Sequence, residues 1–470
     1  MSTIRVRFAP SPTGHLHIGS VRSAIFNWLF ARHHQAIFLL RIEDTDVQRS
    51  TKAFLDSQLA SLSWFGLMPD EPIVYQLSRQ QEHLKEANRL IAEGKAYRCY
   101  CPPREADEVV HALEQGEGAK YSGKCRNLTP AEQNTEKPHA IRFKLPNGIS
   151  SVTFEDVILG TVSVAADQLD DYVIIRRDGT PIYNFCVVVD DIFMEISHVI
   201  RGQDHVSNTP KQVLLYRALG KKEPLFAHIP LILGPTGAKL SKRDASVSVE
   251  EYRAQGYLAE ALFNYLVRLG WSHGDEEVFT REQLVQVFDL DQVGKKGSIF
   301  DVKKLQWLNG VYLRAKSSTE LLSSFDLMDE SYRKNLQAAW PEQALDALLT
   351  LYKERAVTLV DLYQAVHSFA QHPVGYDCSH IAKWQTAQTP VMLQAFMNKV
   401  GALTLFDHDA LAACANEICN EFNVKLVALA QPLRLALTGG TVSPGVFDIM
   451  AVLGKEQSLL RVQALCDALV

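Results

Sequence analysis

The first 46 residues confine the architecture more tightly than any other stretch of the chain. Ile4 to Ala9 alternates as a strand does, and the Pro/Ser/Thr/Gly cluster from Pro10 to Gly14 forms a stiff turn that ends it. Val21, Ala24, Ile25, Trp28 and Leu29 then follow the i, i+3, i+4, i+7, i+8 spacing of a single apolar helix stripe. Ala36 to Ile42 is a nearly all-apolar run of the kind that a parallel strand covered on both faces requires. A strand, a crossover helix and a second strand in this order predict a parallel sheet, and ligands of such sheets bind beyond the carboxyl ends of the strands.

The texture changes from about Glu82 to Asp171, where short charged helical pieces, a cysteine cluster and strands broken by the turn Pro146-Asn-Gly148 read as an insertion. Sheet-like apolar runs return at Tyr172 to Ile175, Phe185 to Val189 and His198 to Ile200, so a Rossmann-type nucleotide fold is expected to be split in two. Beyond about Arg314 the pattern is helical, as in Gln343 to Tyr352 and Pro390 to Val400, and predicts a separate all-α region. The boundaries expected are 1–81 for the first Rossmann half, 82–184 for an α/β insertion and 185–238 for the second half. A connector follows over 239–315 and the all-α region, in two subdomains, over 316–470. No internal repeat is present.

Ser2 to Phe8 lacks the apolar stretch and small-residue cleavage site of a signal peptide, and no apolar run approaches the ~20 residues of a bilayer-spanning helix. A cytoplasmic protein with no membrane partner is expected. Eight cysteines in 470 residues without a secretory signal point to a reducing compartment, not to a disulfide framework. The net charge of −6 argues against indiscriminate coating of nucleic acid but leaves room for a local basic track.

Pro10-Ser-Pro-Thr-Gly-His-Leu-His-Ile-Gly-Ser20 places two histidines, a glycine and hydroxyls at the mouth of the first helix. Unpaired backbone N–H groups and the positive end of the helix dipole make that mouth an anion site to which His15 and His17 can donate. Taken alone, two such histidines serve equally as caps or surface residues. Lys239-Leu-Ser-Lys-Arg243 packs three cations into five residues after the turn Gly234 to Gly237, and by itself reads as a solvated basic loop or a weak nucleic-acid patch.

Together, His17-Ile-Gly-Ser20 and Lys239 to Arg243 resemble the two signatures of class I aminoacyl-tRNA synthetases, with Ser20 where histidine is the usual form. The resemblance narrows to the bacterial-type glutamyl branch through Phe8-Ala-Pro-Ser-Pro-Thr-Gly14, Arg41-Ile-Glu-Asp-Thr-Asp46, Tyr183 with Val188-Val-Asp-Asp191, and His198-Val-Ile-Arg-Gly202. Phe300 to Asn309 resembles the stretch after the family's lysine loop, and Gln431 to Gly439 with Ser443-Pro-Gly445 resembles its carboxyl-terminal domain.

That resemblance implies an ATP-dependent ligase that forms glutamyl-adenylate, releases pyrophosphate and transfers glutamate to the terminal adenosine of tRNA(Glu). It also implies Mg²⁺ with the ATP, an insertion that binds the acceptor stem and an α-helical anticodon-binding region. His17, Lys239 and Lys242 are the catalytic residues it implies, with His15, Gly19, Asp204 and Ser241 joining them around ATP. Asp204 reads equally as a plain surface acid. Arg7, Ser11, Glu43, Tyr183 and Arg201 are placed around glutamate, which suits a diacid with one ammonium, because a guanidinium fork pairs with carboxylate and an acid with ammonium. An Arg7–Glu43 salt bridge between neighbouring strands is the plain structural alternative. Glutaminyl relatives lack arginine at the position of Arg201, which makes it the expected discriminator.

Cys99, Cys101 and Cys125 carry thiolates close together in one insertion and read either as a zinc site or as reduced structural cysteines. Some relatives supply a histidine two residues after the third cysteine, where this chain has Asn127. Tyr121 is the fourth ligand implied by the shortened paralogue that modifies a tRNA base. Arg355 falls where discriminating members read the last anticodon base, and reads otherwise as a helix-surface arginine. Three rival readings stand beside the main one. These are an enzyme that also charges tRNA(Gln), a non-catalytic tRNA-binding paralogue, and the shortened paralogue, which lacks the roughly 150 residues beyond the lysine loop. A monomer is expected.

Overall fold

The computed structural model describes residues 3–101, 121–129, 132–133, 136–241, 248–373, 375–376 and 386–469. They form two compact units, one from 1–251 with 263–301 and the other from 252–262 with 302–470.

The first unit is built on parallel strands. β1 (Arg5–Phe8) leads through α1 (Ile18–His33) to β2 (Ile37–Ile42), and α2 (Lys52–Trp64) leads to β3 (Val74–Tyr75). β1 pairs with β2 from Arg5↔Ile37 to Phe8↔Leu40, and β2 pairs with β3 at Arg41↔Val74, all parallel. Phe38, Leu39, Leu40 and Ile42 of β2 are buried, each worth about 2 kcal/mol of transfer free energy. This is the near-continuous apolar strand expected of a sheet covered on both faces.

α3 (Gln80–Ala92) then precedes a small antiparallel sheet of β4 (Ala96–Cys99), β5 (Ala140–Phe143) and β8 (Val173–Ile175). Between β5 and β8 stands the hairpin of β6 (Ser151–Asp156) and β7 (Gly160–Ala165). β6 does not stay with that sheet: it pairs in parallel with β10 (Leu225–Ile229), which pairs in parallel with β9 (His198–Gly202). β9 borders β1, since Ser197 N–H donates to the Arg5 carbonyl at 3.0 Å and Arg5 N–H donates to Ser197 Oγ at 2.8 Å. The strand order is therefore β3-β2-β1, then β9-β10-β6-β7. The split α/β sheet predicted from the sequence is present.

Two local expectations are corrected. The apolar run Phe185 to Val189 is no strand, for it lies within the helix α4 (Tyr183–Phe193), where Phe185 to Asp191 are all buried. The second concerns α1, which has no single apolar stripe. Arg22, Phe26, Asn27 and Phe30 are buried along with the predicted residues, and Trp28 is only partly buried. Its polar residues are accommodated by carbonyls: Asn27 Nδ2 donates to Ile200 O at 2.9 Å, and Arg22 donates to Leu269 O at 2.7 Å and to Pro230 O.

The described elements of the second unit are all helices, from Val302–Ala315 to Lys455–Leu469, as the sequence predicts beyond Arg314. Glu342–Lys353 and Thr389–Gly401 cover the two segments singled out there. Ser317 with Glu320 and Thr358 with Asp361 form capping boxes that start two of these helices by satisfying their free N–H groups. Gly439, at φ +72°, ends the helix Leu426–Thr438 in a left-handed turn that a residue with a Cβ resists. Leu348, Leu362, Phe396 and Leu433 meet in one fully buried core. Among the described residues no helix is long and apolar enough to cross a membrane.

Candidate active site

A cavity of about 650 Å³ opens where β1, β2 and β9 end, within the first unit. Its wall carries Arg7, Ser11, Glu43, Tyr183 and Arg201, the residues assigned from sequence to an amino acid, and His15, His17, Gly19, Asp204 and Lys239, assigned to a nucleotide. Ser241 is exposed and not part of this lining. Lys242 lies outside the described residues, as does Arg243. The wall holds four permanent cations, Arg7, Arg22, Arg201 and Lys239, against two carboxylates, Glu43 and Asp204, so its charge suits an anionic ligand.

His17 is the N-cap of α1, and its Nδ1 accepts the backbone N–H of Gly19 at 3.0 Å. A Cβ on residue 19 would stand 3.3 Å from that nitrogen, so glycine is what lets ring and backbone approach. Burial, reinforced by the nearby Lys239 charge, lowers the pKa of His17 and keeps the ring neutral. Gln58, which sequence reasoning missed, holds the preceding turn by donating to the carbonyls of Ser11 and Gly14 at 3.1 and 2.7 Å. His15 is more open, with Nδ1 2.9 Å from Ser57 Oγ and 3.6 Å from Glu250. The chain on either side of residues 242–247 is anchored beside this mouth. Leu240 N–H donates to Ile232 O at 3.1 Å on one side, and Val249 N–H donates to Leu16 O at 3.0 Å on the other.

Arg7 does not pair with Glu43. Its guanidinium makes a two-point contact with Asp191 of α4, at 3.1 and 3.3 Å, while Arg41 bridges Asp191 at 2.5 Å and Glu43 at 3.1 Å. The plain alternative weighed for Arg7 and Glu43 is thereby corrected: each has a different partner, because α4 brings a carboxylate between the two arginines. Burial pushes the Glu43 carboxyl up, against the opposing pull of Arg41 and Arg7.

Arg201 is bound differently. It is 6% exposed, and among the described residues it has no carboxylate at ion-pair distance. Nε donates to His228 Nε2 at 3.1 Å and Nη2 to Thr209 Oγ1 at 2.8 Å, while Nη1 is buried without a hydrogen-bond partner. A buried guanidinium left with an unmade bond is costly unless an anion completes it. Nearby, Tyr183 Oη lies 3.1 Å from His205 Nδ1. Burial and the Arg201 charge lower the His205 pKa to about 4.

Elsewhere in this unit Cys99, Cys101 and Cys125 converge, with Cys101 Sγ and Cys125 Sγ 3.7 Å apart. Tyr121 Oη stands 3.2 Å from Cys99 Sγ and 3.6 Å from Cys101 Sγ. In the helical unit Arg355 is exposed, and its charge adds to burial in lowering the pKa of Arg434.

A parallel sheet with a histidine-capped helix mouth and, beside it in one cavity, the start of a lysine segment is the catalytic frame of a class I tRNA synthetase. Residues 3–307 match the family described as tRNA synthetases class I (E and Q), catalytic domain, and residues 318–466 match the family described as anticodon binding domain. The chain belongs to the glutamate and glutamine branch of the class I tRNA synthetases. It is 45% identical to a glutamate–tRNA ligase of Thermodesulfovibrio yellowstonii, covering 99% of this chain and 100% of that one. It is 44% identical to one of Pelobacter propionicus, covering 98% of each. A crystal structure of a glutamate tRNA ligase from Elizabethkingia meningosepticum, in complex with its amino acid, superposes with a TM-score of 0.89 at 31% identity over all of both chains.

Proposed function

We propose that the chain is a glutamate–tRNA ligase, and the observation that carries this is Arg201, a buried cation with an unmade hydrogen bond in the wall of the cavity. The side-chain carboxylate of glutamate supplies the missing partner, whereas a glutamine amide brings no charge to a buried guanidinium. Glu43 receives the ammonium, and Arg7, Ser11 and Tyr183 surround the rest of the substrate.

ATP enters as its Mg²⁺ complex, with the phosphates at the mouth of α1. The α-carboxylate of glutamate attacks the α-phosphorus in line; the bond to the bridging oxygen breaks and pyrophosphate leaves with its electron pair. His17 and Gly19 act at the phosphates from one side and Lys239 from the other, with His15 and Asp204 at the rim; Lys242 and Ser241 are the further groups assigned to ATP and to the step. Positioning and electrostatic stabilisation carry the step. A hydroxyl of the terminal adenosine of tRNA(Glu) then attacks the glutamyl carbonyl, and AMP leaves.

Zinc fits the cysteine cluster. Two thiolates on one tetrahedral zinc, each ~2.3 Å from it, stand about 3.8 Å apart, close to the Cys101–Cys125 separation of 3.7 Å. Cys99, Cys101 and Cys125 with the Tyr121 oxygen would hold it. The metal would serve a structural part there, in the region 82–184 assigned to the acceptor stem. Residues 1–81 and 185–238 are the halves of the nucleotide fold, 239–315 the connector, and 316–470 the anticodon region, where Arg355 reads the last base. The enzyme works as a cytoplasmic monomer.

The test is charging of purified tRNA with labelled glutamate or glutamine in the presence of ATP. Glutamate-dependent, AMP-forming charging supports the proposal, and absence of glutamate charging with every tRNA overturns it.

A further inference from the structure

Three strands that lie side by side each contribute one buried polar side chain to a single line. His228 of β10 is the registered partner of Arg201 of β9, and Asp156 closes β6 beside Phe226 of β10. His228 Nδ1 meets Asp156 Oδ2 at 2.5 Å and its Nε2 meets Arg201 Nε at 3.1 Å, with His228 wholly buried and Asp156 3% exposed. Guanidinium nitrogen only donates, so Nε2 must carry the lone pair and Nδ1 the proton. We infer that Asp156 and His228 are positioning residues for Arg201, a relay that aims its guanidinium at the substrate side chain without neutralising it.

The contrast with Arg7 gives the physical reason. Asp191 grips Arg7 directly as an ion pair, whereas Arg201 is held by the Thr209 hydroxyl and by a neutral imidazole whose tautomer is set by a carboxylate one ring further away. Orientation is secured while the cation stays available to a ligand carboxylate. Burial lowers the pKa of His228, which suits the acceptor role of its Nε2, although the bond to Asp156 opposes that shift.

The relay rests on the glutamate reading of Arg201, and Asp156→Asn tests it with an isosteric change. Asp156 Oδ1 accepts the backbone N–H groups of Ile158 and Leu159 at 3.0 and 2.8 Å, so asparagine keeps its carbonyl there and turns its NH2 to His228 Nδ1. The imidazole then protonates on Nε2, against Arg201 Nε–H. KM for glutamate should rise at least ~10-fold while KM for ATP stays within about twofold, and the preference for glutamate over glutamine should narrow. His228→Phe should do the same, and His228→Gln, whose amide oxygen can still accept from Arg201, should recover part of the loss. Nitrogen NMR of the full-length protein reads the tautomer without any assay: Nδ1 protonated in the wild type, Nε2 protonated in Asp156→Asn. An unchanged glutamate KM in Arg201→Gln removes the glutamate reading itself and the relay with it. If Arg201→Gln raises that KM but Asp156→Asn and His228→Phe do not, or raise both KM values equally, the relay is overturned. A protonated Nε2 in the wild type overturns it too.

Discussion

The Nδ1 of His17 accepts the backbone N–H of Gly19 at 3.0 Å, which leaves Nε2–H as the proton that the neutral ring can donate to a phosphate. Its capping of α1 is therefore separable from the nucleotide contact proposed for it. His17→Asn should keep the cap, because asparagine is a strong N-cap, and shift the thermal midpoint by no more than about 3 °C. It should lower kcat at least ~100-fold by losing the Nε2 donor. Melting curves and single-turnover adenylate formation check the two halves, and a variant with wild-type kcat would remove His17 from the catalytic set.

His205 should make stability depend on pH. Its folded pKa of about 4 lies below the ordinary histidine value of 6.5, so between those values the unfolded chain binds a proton that the folded chain does not. The contribution is complete above pH 6.5 and is lost as pH falls towards 4. Denaturation midpoints over this window should fall on acidification, and less steeply in His205→Asn. An identical slope in the variant would contradict the assignment.

That Arg7, Ser11, Glu43, Tyr183 and Arg201 would gather with His15, His17 and Lys239 at one cavity, and that the carboxyl-terminal unit would be helical, was legible in the sequence because each is carried by local spacing or by an ordered motif. Phe185 to Val189 misled because a short apolar run looks the same in a buried strand and a buried helix, and only the flanking structure decides. The partners of the two site arginines were invisible for another reason. Asp191 lies 184 residues from Arg7, and His228 lies 27 residues from Arg201, so no short window of sequence holds either contact. The Arg7–Glu43 pairing failed in the same way: neighbouring strands made it plausible, and a helix from elsewhere in the chain supplied the carboxylate.

Protein purified without added zinc should contain close to one zinc per chain, since four donors already converge at Tyr121 and the three cysteines. Elemental analysis of the wild type and of Cys125→Ser checks this, with the variant expected to lose most of the metal. A fully active, metal-free wild type would exclude the site.

Arg355 is exposed in the helical unit and free of the catalytic cavity's lining, so its replacement should act on tRNA choice alone. The wild type should charge tRNA(Glu) at least ~100-fold better than tRNA(Gln), about 2.7 kcal/mol, a size that a bidentate arginine–base contact can supply. Arg355→Gln should erode that preference and leave KM for ATP and glutamate unchanged. Equal charging of both tRNAs by the wild type would contradict the anticodon role.

The proposed function sets the side-chain carboxylate of glutamate against Arg201, and steady-state charging by Arg201→Gln tests that pairing. Loss of a buried, charge-assisted pair should lower kcat/KM for glutamate at least ~100-fold. Circular dichroism, tRNA binding and KM for ATP should stay at wild-type values. Wild-type kinetics for glutamate in that variant would show that the side-chain pocket lies elsewhere.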